Sequence, residues 1–181
     1  MAEDLAALWE AHCRYEFETR EVERTMATMV AEPYVNHIPT MAGGVGHDEL
    51  KRFYKYHFIG LNPADTAMTP VSRTVGADTL VDEVIFSFTH TSEIDWMLPG
   101  IPPTGRRVEV PLVAIVRFEG GKVAHEHIYW DQASVLVQLG LIDPQGLPVA
   151  GAETAKKVAD KTRPSNALLG EAWAKSEGKP L

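Results

Sequence analysis

Apolar residues recur at three- and four-residue steps in two stretches of the chain, a spacing typical of amphipathic helices. The first stretch predicts a helix over residues 3–31, which ends before Pro33. The second predicts a helix over residues 47–59. One face of this second helix carries mostly aromatic side chains: Leu50, Phe53, Tyr54, His57 and Phe58. Between the helices we expect irregular backbone over residues 32–39, which hold two prolines, and a glycine-rich flexible turn at residues 43–46.

Three later stretches mix β-branched and aromatic residues in the partial alternation of β-strands. They cover residues 80–91, 107–119 and 122–131, and a hairpin turn at Gly120-Gly121 joins the last two. A short helix over residues 135–141 follows. This order predicts an α+β fold in which the helices pack on one face of a curved antiparallel sheet. Such a fold leaves an apolar pocket at one end, where small molecules tend to bind.

The composition changes after Asp143, where Pro, Gly, Ala and charged residues dominate. Helix-like patches remain at residues 152–161 and 166–175. We therefore divide the chain into a domain over residues 1–142 and a C-terminal arm over residues 143–181. The arm is expected to pack on the body or on a partner subunit, and a disordered tail is the alternative.

Composition narrows the choice of partners. The 181 residues carry a formal net charge of −8 and no long run of Lys or Arg, which argues against a nucleic-acid partner. No segment approaches the roughly 20 apolar residues that a membrane-spanning helix needs, and no signal peptide is recognisable, so a cytoplasmic location is expected. The single cysteine, Cys13, excludes a disulfide within the chain and a cysteine zinc cluster.

The strand predicted at residues 122–131 concentrates titratable side chains. Because side chains alternate across a strand, four of these groups should share one face. They are His125, His127, Tyr129 and Asp131. The opposite face would carry Glu126, Ile128 and Trp130. A regular strand that turned the first face into a cavity would cluster two imidazoles, a phenol and a carboxyl there, and a bulge at the strand end could reassign one or two of them.

Asp131 is the best single candidate for chemistry. A carboxyl at the mouth of an apolar pocket loses solvation, which favours its neutral form and lets it carry a proton near neutral pH. His127 could orient Asp131 or act as the acid. The alternative is structural, because Asp131 also stands where an N-cap of the helix near Ser134 would stand.

Other polar and aromatic residues complete the predicted site. Tyr34 and His37 lie in the proline-bounded segment and are assigned to the catalytic group with Asp131 and His127. The predicted substrate-binding residues are His57, Tyr54, Phe86, His90, Trp96 and Trp130. Neither a metal nor another cofactor is expected, and a zinc site at His125 and His127 is the alternative.

Several short segments resemble the SnoaL-like family of polyketide cyclases and their relatives, within the nuclear-transport-factor-2-like superfamily. They are Gly-Ile-Pro-Pro-Thr-Gly-Arg-Arg-Val at 100–108, Arg-Phe-Glu-Gly-Gly-Lys-Val at 117–123, Trp-Asp at 130–131 and Gln-Leu-Gly at 138–140. Residues 36–50 look like the family's connection between its first two helices. In order of elements, the resemblance covers residues 5–142.

The resemblance implies a cone-shaped α+β barrel, a homodimer and catalysis without a cofactor. The substrate would be a small hydrophobic or aromatic molecule, and the reaction a cyclisation, isomerisation, dehydration or lysis. Asp131 matches the family's catalytic Asp in its position before the final helix. The family's His on the preceding strand has no counterpart in residues 110–116, so His127, His90 or His37 would have to replace it. A non-catalytic binding or dimerisation module of the same fold is the alternative.

Overall fold

The computed structural model of the protein describes residues 4–180. The N-terminal region forms two helices and not the single predicted one, because Arg20 adopts a left-handed backbone conformation (φ 56°) that interrupts the helix. The predicted start at residue 3 lies outside the described residues. The helices are α1 (Leu5–Cys13), α2 (Val22–Ala27), α3 (His47–Phe53), α4 (Gln132–Gln138), α5 (Glu153–Ala159) and α6 (Glu171–Ala174). Two of them, α1 and α3, continue directly into π-helical turns at Arg14–Glu18 and Tyr54–Phe58.

Six strands form one open sheet in the described part of the chain, in the order β2-β1-β6-β5-β4-β3. They are β1 (Met29–His37), β2 (Ala42–Val45), β3 (Ala67–Val75), β4 (Thr79–Thr89), β5 (Arg107–Glu119) and β6 (Lys122–Trp130). The sheet is mixed and not purely antiparallel as predicted, because β1 pairs in parallel with β6 while the other neighbours run antiparallel.

Three strands were not predicted, and each lacks the usual strand pattern. β1 contains Pro33, which cannot donate a ladder hydrogen bond, and a register shift in this part of the strand accommodates it. Two of the four residues of β2 are glycines, and the strand pairs with β1 where we expected a flexible turn. β3 is an edge strand whose side chains are nearly all exposed, so it shows no apolar alternation.

The curved sheet packs its inner face on the helices and forms the predicted α+β cone. The alternating buried residues of β4 and β5 supply much of this face: Leu80, Val84, Phe86, Phe88, Val108, Val110, Leu112, Ala114 and Val116. The predicted grouping of Val84, Phe86, Phe88 and His90 on one face is confirmed. From the helices, Trp9, Leu50 and Phe53 pack against the strands in the same core.

The face of β6 that points inward is not the one considered for the acid–base cluster. Glu126, Ile128 and Trp130 are buried, whereas His125 and His127 are only partly buried and Tyr129 is exposed. That cluster follows the titratable residues, but burial follows the apolar residues Ile128 and Trp130, which fix the register of the strand.

The C-terminal segment leaves the body after α5. The carbonyl oxygen of Gly151 accepts hydrogen bonds from the Ser134 and Thr154 hydroxyls (2.9 and 3.1 Å), and Ala155 is fully buried. Every residue from 158 to 180 is exposed. Within residues 4–180, no helix combines the length and apolarity that crossing a membrane requires.

Candidate active site

A cleft of about 770 Å³ lies between α1 with its π-helical turn and strands β3 to β5. Its apolar lining includes Phe17, Met68, Pro70, Val84, Leu112 and Ala114. Arg73 and Asp82 add a polar end, and Trp9 and Cys13 line the wall beside it. A small molecule with an apolar body would fit a hollow of this size and lining.

The carboxylate of Asp82 is fully engaged at this polar end. Arg73 donates to it from Nε (3.0 Å to Oδ1) and from a terminal nitrogen (2.9 Å to Oδ2), and Trp9 Nε1 donates to Oδ2 (2.9 Å). Hydrogen bonds to Asp82 and Glu10 raise the pKa of Arg73. The Asp82–Arg73 pair therefore orients Trp9 and closes one end of the cleft.

Directly behind Trp9 lies a buried cluster of ionisable groups. The Trp9 ring stacks on the ring of His12 at a centroid distance of 5.4 Å. His12 Nε2 lies 3.1 Å from Glu16 Oε1 and 3.2 Å from Glu126 Oε1, and Tyr54 donates its hydroxyl to Glu126 Oε1 at 3.4 Å. These four side chains belong to α1, to the two π-helical turns and to β6, and all are at least 95% buried.

The hydrogen bonds of Thr28 fix the state of the His12 ring. The Thr28 hydroxyl donates to the Thr25 carbonyl (2.6 Å), so it can only accept from His12 Nδ1 (2.6 Å). Nδ1 therefore carries a hydrogen. Nε2 faces two carboxyl oxygens, which requires a further proton on Nε2 or on one of the carboxyls. The cluster thus holds at least one proton that these three groups can share.

Burial and charge act in opposite directions on this cluster. Burial alone would lower the pKa of His12, but Glu16 and Glu126 outweigh it and raise that pKa to about 10. Burial also raises the pKa of Glu16, and the attraction of His12 only partly offsets this. The pKa of Tyr54 is raised by burial and by the two carboxyls, which keeps its hydroxyl protonated as a donor.

Within residues 4–180, only this cluster brings together three side chains that could hold a metal ion. One nitrogen of His12 and one oxygen each of Glu16 and Glu126 lie within 4.8 Å of one another. The hydrogen bond from Nδ1 to Thr28 would orient the ring, as outer-shell partners do for metal-bound histidines. A divalent ion would have to displace the shared proton.

The structure places three of the four residues predicted to be catalytic away from the cone interior. Asp131 is exposed and caps α4, accepting a hydrogen bond from the Ser134 backbone nitrogen (3.1 Å). Tyr34 and His127 pack edge to face on the outer side of the sheet, with ring centroids 5.4 Å apart. These three residues are not among those that line the cleft beside α1, and β6 turns its other face inward. His125 stacks on His127 at 4.9 Å on this outer side.

His37 does reach the interior, in an aromatic environment. Its ring lies 4.8 Å from that of Trp96 and 5.4 Å from that of Phe58, and its Nδ1 donates to the Ala42 carbonyl (3.0 Å). Burial lowers the pKa of His37 to about 4 against the opposing effect of this bond, so the ring is neutral near pH 7. His37 is thus suited to packing and hydrogen bonding more than to carrying charge.

The residues predicted to bind substrate divide into core and surface. Tyr54, Phe86, Trp96 and Trp130 are buried together with His37 and form an aromatic core inside the cone. His90 is buried, and its Nδ1 accepts from the Thr104 backbone nitrogen (3.3 Å). His57 is partly exposed and pairs with Asp95 (2.9 Å) on the surface. None of these residues lines the cleft beside α1.

Sequence reasoning missed His12, Glu16 and Glu126. The sequence did contain a signal. Glu126 is an acidic residue among the apolar positions 124, 128 and 130 on one face of its strand. His12 and Glu16 are four residues apart and therefore lie on the same face of a helix, close to Trp9. A polar residue at a position that periodicity assigns to the core is more informative than a polar residue among polar neighbours.

A curved sheet around helices, with a cleft and buried acid–base groups inside, defines a conical α+β domain of the kind that holds small molecules. The chain belongs to the SnoaL-like domain family, whose model matches residues 4–126. No curated protein matches the chain.

Solved structures with the same fold share little sequence with the chain. A candidate polyketide cyclase from Acidithiobacillus ferrooxidans is 17% identical and has a TM-score of 0.60, covering 76% of this chain and 94% of its own. The protein TsrD from Streptomyces laurentii is 22% identical, with a TM-score of 0.58 and coverages of 76% and 96%. A hypothetical protein from Catenulispora acidiphila with a ketosteroid isomerase-like fold, bound to trimethylamine, is 16% identical, with a TM-score of 0.56 and coverages of 74% and 92%.

Proposed function

We propose that this protein is a cofactor-independent acid–base enzyme that acts on a small apolar molecule held in the cleft beside α1. The proposed proton carrier is the cluster of His12, Glu16 and Glu126, with Tyr54 as a hydrogen-bond donor. Cyclisation, isomerisation and elimination all need a group that removes a proton at one atom of the substrate and returns one at another.

The observation that carries this proposal is the burial of the cluster. Three ionisable groups in a protein core cost solvation energy, and well-packed apolar side chains of similar size are often as stable or more stable. Ionisable groups whose pKa values are strongly shifted by burial and by one another are concentrated at functional sites. The cluster therefore has a functional explanation and lacks an obvious structural one.

The helix geometry around the cluster supports the same conclusion. Glu16 and Tyr54 each lie in a π-helical turn that continues a regular helix, α1 in one case and α3 in the other. Such turns are rare and occur frequently at functional sites. Two separate π-helical turns thus contribute side chains to one buried acid–base group.

The chemical roles follow from the proton count. A substrate lying against Trp9 would give a proton from an acidic C–H or O–H to the carboxyl of Glu16 or Glu126, once the wall formed by Trp9 and Cys13 moves aside. The imidazolium of His12 stabilises the carboxylates before the transfer, and the shared proton can return to another atom of the substrate. The Tyr54 hydroxyl would orient the Glu126 carboxyl through the hydrogen bond that it donates to Oε1.

Proton exchange with solvent tests this function without knowledge of the product. The protein is incubated in D2O with a library of aromatic polyketide esters, steroids and other apolar ketones, and mass spectrometry records deuterium uptake and new products. We expect the wild type to label at least one compound and Glu126→Gln to be slower by about a hundredfold or more. Thermal unfolding of Glu126→Gln shows whether the variant is folded.

The matched controls are His127→Gln, the neighbour of Glu126 on the outer side of the strand, and Asp131→Asn. Both should retain the wild-type rate within about threefold, because neither side chain is in the interior. If Asp131→Asn loses activity and Glu126→Gln keeps it, the proposed cluster is wrong and the catalytic role predicted for Asp131 is supported. Metal analysis of the purified active protein decides whether an ion replaces the shared proton.

A non-catalytic binding module is the second candidate function, and one observation favours it. Trp9 and Cys13 line the cleft and the cluster residues do not, so a bound molecule would first meet an apolar wall. This function predicts saturable binding of apolar compounds with no deuterium uptake in any of them. It also predicts that Glu126→Gln binds as well as the wild type.

A further inference from the structure

The C-terminal arm separates from the body at a definite point. Ala155 is 1% exposed, while each residue from 158 to 180 is exposed. The arm nevertheless has regular local structure, with a 3-10 turn at Ala167–Leu169 followed by α6. A segment that folds locally without packing on its own body has surface available for another molecule.

The arm also displays large apolar side chains. Leu168, Leu169 and Trp173 are 60%, 53% and 56% exposed. Leu169 and Trp173 are four residues apart across the turn into α6. Three such side chains within six residues are characteristic of a binding segment, because solvated tails seldom contain a Trp and a Leu pair.

Charge indicates what the arm binds. Residues 156–181 contain six Lys or Arg and three Asp or Glu, a net charge of +3. The whole chain has a net charge of −8, which leaves −11 for residues 1–155. A basic, apolar segment is therefore complementary to the acidic body of the protein, and residues 158–180 of this segment are exposed.

We propose that the arm of one molecule packs on the body of a second copy of this chain, with Leu168, Leu169 and Trp173 as the apolar contact and the basic residues of the arm facing body carboxylates. The exchange is reciprocal in a symmetric dimer, because each copy has one arm and one acidic body. This inference is independent of the proposed function.

Trp173 provides a direct test because the other three tryptophans, Trp9, Trp96 and Trp130, are at most 8% exposed. Iodide quenching of fluorescence at increasing protein concentration should show Trp173 becoming protected as the dimer forms. Trp173→Phe should remove the quenchable fraction. If Trp173 stays fully quenchable in a dimer, the arm is free and the proposal is wrong.

Oligomeric state gives the second measurement. Sedimentation velocity should show a dimer for the full chain, and the variant Leu168→Ser/Trp173→Ser should dissociate at least about tenfold more readily. Met41→Ser is the control, since Met41 is 85% exposed on the body, and it should leave the dimer unchanged. A monomer at all concentrations, or a dimer unaffected by the arm substitutions, would overturn the proposal.

Cross-linking distinguishes a second copy from the arm's own body. Protein grown on nitrogen-14 is mixed with protein grown on nitrogen-15, and a carbodiimide joins lysines to carboxylates that are in contact. Peptides linking Lys161, Lys175 or Lys179 of one isotope to body carboxylates of the other support the proposal. Links confined to one isotope contradict it. High salt should reduce the mixed links, because the attraction between arm and body is screened.

Discussion

The two faces of strand β6 present a direct comparison. Glu126 and His127 are neighbours in sequence, yet the carboxyl of Glu126 is buried against His12 while the imidazole of His127 packs on Tyr34 at the outer side. Both faces carry titratable groups in aromatic surroundings. Only the inner face forces them to share protons, because only there is water excluded.

The difference shows that the number of titratable residues on a face is a poor guide to chemistry. The outer face has His125, His127 and Tyr129 within one strand, where each side chain is at least partly exposed to solvent. The inner face has Glu126 alone, which becomes coupled because α1 and the π-helical turn that continues it bring His12 and Glu16 against it. Coupling across elements, more than density along one strand, produces an acid–base group.

The largest expected effect comes from removing the His12 imidazole at the centre of the cluster. His12→Leu would leave Glu16 and Glu126 facing each other as buried, unpaired carboxyls, and breaking such a pair typically costs about 3–5 kcal/mol. The matched change on the outer face, His127→Leu, should cost less than about 1 kcal/mol because the site is partly exposed. Urea unfolding of the two variants measures both values. Equal losses would mean that the two faces do not differ in the way described.

A triple variant separates function from stability. Replacing His12, Glu16 and Glu126 together with apolar residues of similar size removes all three buried charges at once. Replacements of this kind are often neutral or stabilising by about 1–4 kcal/mol. We expect the triple variant to recover the loss of His12→Leu in urea unfolding while remaining inactive in the deuterium-uptake assay. A triple variant that stays as unstable as the single one would assign the cluster a structural role.

The pH dependence of stability should report the same cluster. The pKa of His12 in the folded protein is raised to about 10 from an ordinary value near 6.5. The stabilisation that its charge provides is therefore fully present below about pH 6.5 and is lost as the pH rises through about 10. One proton changes the free energy of unfolding by at most about 1.4 kcal/mol per pH unit.

Urea unfolding between pH 6.5 and 10 measures this slope. The wild type should lose stability across the window more steeply than the triple variant, which lacks the cluster but keeps every other titratable group of the chain. Parallel curves for the two proteins would show that His12 does not hold its proton in the way the structure indicates.

Part of the fold could be predicted from the sequence because apolar periodicity and turn residues act locally. The helix at residues 47–59, the hairpin at Gly120-Gly121 and the inward face of β4 all follow from such patterns, and the resemblance in residues 98–140 added the cone. Strands β1 to β3 were not predicted because proline, glycine and solvent exposure removed the alternation of apolar and polar residues. The candidate site was not predicted for a different reason. Glu126 is 110 positions from Glu16 in the chain, so the two residues come together only after folding.

The smallest expected effect concerns the residue that sequence reasoning ranked first. Asp131 caps α4 with an oxygen that accepts from the Ser134 backbone nitrogen, so Asp131→Ala should lower the free energy of unfolding by about 1 kcal/mol. Asp131→Asn and Asp131→Ser keep a capping oxygen and should lose much less. This order of stability losses depends only on capping, whereas a catalytic role would make the Asn and Ala variants equally inactive. Measuring unfolding and deuterium uptake on the three variants therefore distinguishes a capping role of Asp131 from a catalytic one, because loss of an exposed cap changes stability and leaves turnover unchanged.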